Sequence, residues 1–318
     1  MIPRTSLRDV ARASGVSHMT VSRVVRGAAG ISPATRRRVE AAVRKLDYRP
    51  DPALSALAAY RTRAGGGHGS VLAFLFCDEN PYSRLVFEGV RSEAERLGYG
   101  VEAHTPGRSV DAQRKLGRVL YHRGIRGLLF GPSHTARTFD GWDWQHFAPV
   151  SLGAAAHQPP MNSVAMDYFD GVTRAEAHLR SLGARKVGLA VDPALELRTG
   201  HRWLGGFVAR HHPEPVAVYS GDPADSRKLL RWFRREKPDG VMTIHKLVWQ
   251  TLHPKGVKFV FLNTMECPES VAHVALEPGR IGQEAVRLVH HQILNHEFGL
   301  GTGIKAISLQ GVIQAEAD

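Results

Sequence analysis

The run His18-Met19-Thr20-Val21-Ser22-Arg23 carries side chains suited to reading the edges of nucleic-acid bases. With Val21, Val24 and Val25 turned inward at helical spacing, His18, Met19, Ser22, Arg23 and Arg26 face outward. A guanidinium fork such as that of Arg23 matches O6 and N7 of guanine bidentately, at about 1–3 kcal/mol of discrimination per base. His18 can donate to a purine N7, and Met19 offers only apolar contact, suited to a thymine methyl. The hydroxyls of Thr20, and of Ser6 and Ser32 at helix starts, suit phosphate oxygens, which position a reader without specifying sequence.

Short helices must hold these groups. Ser6 is placed to cap a helix with Leu7, Val10 and Ala11 inward, and Ser17 to cap the next. The Ala13-Ser14-Gly15-Val16 turn between them is tight enough for a helix-turn-helix, whose second helix enters the major groove. Ser32-Pro33 opens a third helix lined by Thr35, Val39, Val43 and Leu46, and Asp51-Pro52 opens an alanine-rich fourth, too poor in large apolar residues to stand alone. Charge agrees with a polyanionic partner. Residues 1–63 hold 13 Lys and Arg against 4 Asp and Glu, whereas residues 64–318 hold 29 against 26.

Asp9-Val10-Ala11, Gly15-Val16-Ser17, Thr20-Val21-Ser22-Arg23-Val24 and Ser32-Pro33-Ala34-Thr35-Arg36 together resemble the headpiece of the LacI/GalR (lactose and galactose repressor) family, over residues 6–61. The resemblance implies a homodimer on a near-palindromic operator, with the positions matched by His18, Met19 and Arg23 reading bases. It also implies a hinge helix in the minor groove, which corresponds to Pro50 through Ala59, with the family's wedge leucine at Leu57.

Beyond the Ala64-to-Gly69 glycine-rich linker, apolar runs alternate with helical patterns in two series, from Val71 to Phe130 and from Val164 to Leu262. The fold expected is an all-α helix-turn-helix headpiece plus an α/β bilobed, periplasmic-binding-protein-like core with two doubly wound parallel sheets. The expected domains are a headpiece at 1–49, a hinge helix and linker at 50–69, and an effector-binding and dimerisation core at 70–318. The late helix near Arg280 to Asn295 and the Ile304–Leu309 strand would return across the halves.

Ligands of such sheets bind at the C-terminal ends of the strands. Candidate cleft residues are Asn80 and Tyr82 after the first strand, Ser133 after Phe130, Arg202 or Trp203 near the next helix, His245 after Ile244, and Asn263 after Leu262. The family pattern is kept at Asn80-Pro81-Tyr82 and Ser163 to Asp167, but three places depart from it. His245-Lys246 replaces Asn-Asp, Leu262-Asn263-Thr264 replaces Phe-Asp-Asp, and Trp203 occupies the effector-arginine position, with Arg202 one residue earlier. A sugar or related metabolite, a phosphorylated or aromatic ligand, and a protein partner in place of any small molecule all stay open.

No nucleophile elbow, P-loop or His-Glu-x-x-His motif points to an enzyme. Gly299-Leu300-Gly301-Thr302-Gly303 lacks the strand-turn-helix setting of a dinucleotide site, so no cofactor is expected. His290, His291 and His296 have poor spacing for a metal, and Cys77 and Cys267 can build neither a disulfide framework nor a thiolate cluster. With no signal-like or membrane-spanning run, a cytoplasmic regulator, most simply a repressor, is the expectation.

Overall fold

The computed structural model describes residues 7–25, 31–46, 48, 70–155, 157–275, 277–301 and 303–315; within α2 the side chains of His18, Met19, Ser22 and Arg23 lie outside that description. The chain divides into two compact units, Met1–His68 and Gly69–Asp318. The hinge stretch expected at 50–59, with Leu57, and the start at Ser6 lie outside the described residues.

In the first unit, α1 (Leu7–Ser14), α2 (His18–Val25) and α3 (Pro33–Lys45) close over Val10, Val21, Val24, Val39 and Ala42. Serine caps set two of the helix starts. Ser17 Oγ accepts from the Thr20 amide at 3.1 Å, and Ser32 Oγ from the Thr35 amide at 3.3 Å with Pro33 behind it. The first helix ends on Gly15 at φ 62°, a left-handed turn that glycine adopts without steric cost. Arg38, reaching from α3, donates to the Ser14 carbonyl at 2.7 Å and to that of Gly15 at 3.3 Å, so it ties the turn to the third helix.

The second unit is built on two six-stranded sheets. Sheet one runs β11-β5-β4-β3-β1-β2, from β1 (Val71–Leu75), β2 (Gly100–His104), β3 (Gly127–Phe130), β4 (Ala148–Leu152), β5 (Asn162–Met166) and β11 (Ala306–Leu309), with every pairing parallel. Sheet two runs β12-β10-β9-β8-β6-β7, from β6 (Val187–Val191), β7 (Ala217–Ser220), β8 (Gly240–Thr243), β9 (Lys258–Phe261), β10 (His273–Ala275) and β12 (Val312–Gln314), and only β10–β12 is antiparallel.

Alternation explains why both faces are covered. Leu72 and Phe74 of β1 point to α4 (Pro81–Arg96) and α11 (Pro278–Leu294), while Ala73 and Leu75 point to the cluster under α5 (Val110–His122). In the second lobe, Leu189 and Val191 of β6 join the core with α6 (Tyr168–Ser181) and α8 (Arg202–His211). Ala190 faces the other way, toward Leu229 and Trp232 of α9 (Ser226–Glu236) and Val248 of α10 (Lys246–Leu252). A short α7 (Pro193–Arg198) precedes α8.

The chain crosses between the lobes three times: from β5 into α6, from β10 into α11, and from β11 into β12. At the first crossing Asp167 donates its amide to the Leu309 carbonyl at 2.8 Å and caps α6 by accepting from the Asp170 amide at 3.0 Å. In α5 Leu120 occupies the buried face and leaves its neighbour Val119 exposed.

Candidate DNA-reading helix and interlobe cleft

The headpiece presents α2 as a helix held from behind by valines, which leaves the successive positions 18, 19, 22 and 23 on the side away from Val21 and Val24. Thr20 and Ser17 hydroxyls lie 2.9 Å apart at the start of α2, and Ser32 and Thr35 hydroxyls 2.9 Å apart at the start of α3. Both pairs are exposed beside helix N-termini, where amides and the helix dipole favour phosphate oxygens. A basic first unit with two such exposed starts and one buttressed helix between them has the charge and hydroxyl placement that attract a polyanion.

A model of the bacterial regulatory proteins of the lacI family matches residues 6–51. The headpiece belongs to that family. The chain is 29% identical over 221 residues to the lactose operon repressor of Escherichia coli strain K12, across 68% of its own length and 60% of that protein. It is 32% identical over 204 residues to the sucrose operon repressor of Shigella flexneri, across 63% of its length and 59% of that protein. The match thus spans about six tenths of the length of these curated relatives. Among solved structures, the lac repressor dimer bound to operator and the anti-inducer ONPF superposes with a TM-score of 0.54 at 20% identity, covering 98% of each chain, a likeness of fold.

In the core, the ends of β1, β3 and β4 form the wall of lobe one, and those of β6, β8 and β9 the wall of lobe two. Asn80 begins α4 and is spent there: its Oδ1 accepts from the Ser83 amide at 2.9 Å while its own amide donates to Ser83 Oγ at 3.0 Å. Tyr82 follows, half-buried, packed against the apolar cluster that joins the lobes, and burial together with nearby Tyr168 pushes its hydroxyl far up. Ser133 is buried and donates to Asp78 Oδ2 at 3.1 Å. Burial would raise the Asp78 carboxyl, but the His134 amide and the Ser133 and His134 side chains bring it below the ordinary value. Gly131 and Gly153 stand at the ends of β3 and β4, so these positions offer backbone only; a Cβ on Gly131 would meet the Phe74 ring at 2.8 Å.

Arg202 is exposed at the start of α8, whereas Trp203 is buried and meets Tyr168 edge-on with centroids 4.9 Å apart. His245 precedes α10 with Nε2 3.1 Å from Asp192 Oδ2; burial lowers its pKa, and Asp192 opposes that shift. Asn263 turns back on its own loop, accepting from the Met265 amide at 3.2 Å. The candidates thus fall on both walls, with Asn80, Ser133 and Asn263 engaged in local bonds.

Sequence reading passed over Tyr168, Glu196 and Arg198. Tyr168 stands at the first crossing, and burial raises its hydroxyl against the lowering effects of Arg198 and Arg202. Glu196 is buried, with Oε2 accepting from the Leu204 amide at 3.3 Å. The one signal available for these residues was Asp192-Pro193, a helix start just past a strand end. Among the described residues no group of His, Cys, Asp or Glu could hold a metal, and no helix is long and apolar enough to cross a membrane. His290 instead pairs with the Tyr99 hydroxyl at 2.9 Å, and His291 with Asn295.

Proposed function

We propose that the chain is a sequence-specific transcription repressor, and not an enzyme, that binds a near-palindromic operator as a homodimer and responds to a small molecule held between the lobes. The observation that carries this reading is the lacI-family headpiece, with α2 buttressed by Val21 and Val24 and helix starts capped by Ser17 and Ser32. In this reading Arg23, His18, Met19 and Ser22 meet base edges, while Ser6, Thr20 and Ser32 meet phosphates. Residues 1–49 are the reader, 50–69 the hinge and linker with Leu57 as minor-groove wedge, and 70–318 the sensing and dimerising core, working in the cytoplasm.

The effector is proposed as a sugar or related metabolite, in keeping with relatives named for the lactose and sucrose operons. Tyr82, Trp203, Arg202 and His245 are the candidate residues best placed to meet it, with Asn80, Ser133 and Asn263 shaping the walls. Because the chain crosses between the lobes three times, a ligand that alters the angle between them biases one bistable element, which the hinge reads.

Selection of bound sequences from a random duplex library, with and without a panel of sugars, sugar phosphates and nucleobases, tests this. A palindrome whose enrichment changes with one compound supports the whole reading. A palindrome indifferent to every compound retains the DNA reader and assigns the core to a protein partner; no enriched palindrome overturns the reading.

A further inference from the structure

Three polar atoms on one short stretch of lobe two are buried without a hydrogen-bond partner among the described residues: Arg198 Nε, Trp203 Nε1 and Glu196 Oε1. Trp203 and Glu196 are each only 2% exposed, so water does not satisfy them readily. A buried polar atom left unpaired costs about 1–3 kcal/mol, and three together are rarely retained without a use. Arg198 and Trp203 share a neighbour. Tyr168 meets the Trp203 ring at 4.9 Å, feels the charges of Arg198 and Arg202, and is electrically coupled to Tyr82 across the lobes.

The chemistry of this set is one-sided. Arg198 Nε and Trp203 Nε1 can only donate. Burial raises the Tyr82 and Tyr168 hydroxyls, so both stay donors, and burial, with Asp192 adding to it, raises the Glu196 carboxyl. Donors with a permanent cation among them call for a ligand group that only accepts and carries negative charge.

We propose that the cleft seats an oxyanion, a carboxylate or phosphate carried by the effector, on Arg198 and Trp203 against Tyr82 and Tyr168. This rests on the effector reading above and narrows it to an acidic or phosphorylated metabolite. Tyr82 belongs to lobe one, Tyr168 to the crossing, and Arg198 and Trp203 to lobe two. An anion seated there draws both lobes onto one charge, so closure is coupled to its presence.

The test uses the full chain and probes that share one body: glucose, glucose 6-phosphate and glucuronate, with inorganic phosphate as the minimal anion, each titrated by calorimetry and by tryptophan fluorescence. The expected result is that at least one oxyanion probe binds about tenfold or more tightly than glucose. Arg198→Gln should erase that preference, while Arg198→Lys, which keeps charge but loses Nε, should keep part of it. Since Arg198 Nε has no hydrogen-bond partner to strand among the described residues, neither variant should shift thermal unfolding by more than a few degrees. Glucose binding as well as the anions, no oxyanion probe binding, or an undiminished preference in Arg198→Gln would each overturn the proposal; which of the two anions binds names the source. Operator selection is read separately on the same samples, so a protein that selects no palindrome defeats the regulator reading and leaves the anion result legible.

Discussion

Gly89 of α4 and Gly279 of α11 lie backbone against backbone: a Cβ on Gly89 would stand 2.0 Å from the Gly279 carbonyl oxygen. Gly282 is equally confined, its Cβ falling 2.2 Å from the Val86 carbonyl. The helices can therefore approach only where side chains are missing. Gly89→Ala should destabilise the core by about 1–3 kcal/mol, through displacement of rigid backbone rather than of a flexible side chain. Gly205→Ala, in α8 with nothing within 4 Å, is the control and should be neutral or stabilising by up to about 1 kcal/mol. Thermal or denaturant unfolding of the two variants checks both signs.

Acid should weaken the same helix pair. Buried Glu93 accepts from Arg96 at 2.6 Å and from Arg287 at 2.7 Å. The Arg96 bond, then that of Arg287, outweighs burial and brings the carboxyl down to about 2. Because the folded value is depressed, this contribution is complete above the ordinary carboxylate range and is lost as pH falls from about 4.5 toward 2, an effect of about 2 kcal/mol after allowing for the exposed arginines. Unfolding free energy measured from pH 6 to pH 2 should fall more steeply for the natural chain than for Glu93→Gln.

In the headpiece, Arg38→Ala removes the donor that holds the Ser14 and Gly15 carbonyls. Arg38 is exposed, so the loss should be modest, about 0.5–1.5 kcal/mol. Amide exchange should quicken first at the end of α1, and uniform protection across α1 in the variant would argue against the tether.

On DNA, Arg23→Ala should relax preference at one operator position by about 1–3 kcal/mol, and an unchanged preference would refute base reading by this residue. Leu57→Gly should weaken specific binding while sparing non-specific affinity, since a wedge acts only where a base step yields.

Much of the fold was legible because its periodicities are clean. Ser17, Ser32-Pro33 and the valine spacing mark the headpiece helices, and the apolar run Val187–Val191 coincides with β6. β4 escaped because Pro149 sits inside it, a residue that usually argues against an interior strand; the three-residue β10 and β12 are too short for any periodic signal. The cleft was harder to read. Asn80 and Asn263 are strand-end polar residues of the expected kind, yet their side chains close local turns, whereas Arg198 and Tyr168 enter the cleft region through the placement of α7 and the first crossing. Such partnerships depend on lobe-to-lobe placement that no local spacing encodes.

The threefold passage between lobes also fixes an order of events during synthesis. Lobe one needs α11, whose Ile281, Ala285, Val286 and Val289 fill its core, and then β11 beside β5, yet both are made only after most of lobe two. On the ribosome the first five strands, complete at Met166, must wait, apolar and unclosed, until the chain has grown to Leu309 at the end of β11. Chaperone demand and sensitivity to C-terminal truncation should therefore fall on the lobe that is translated first.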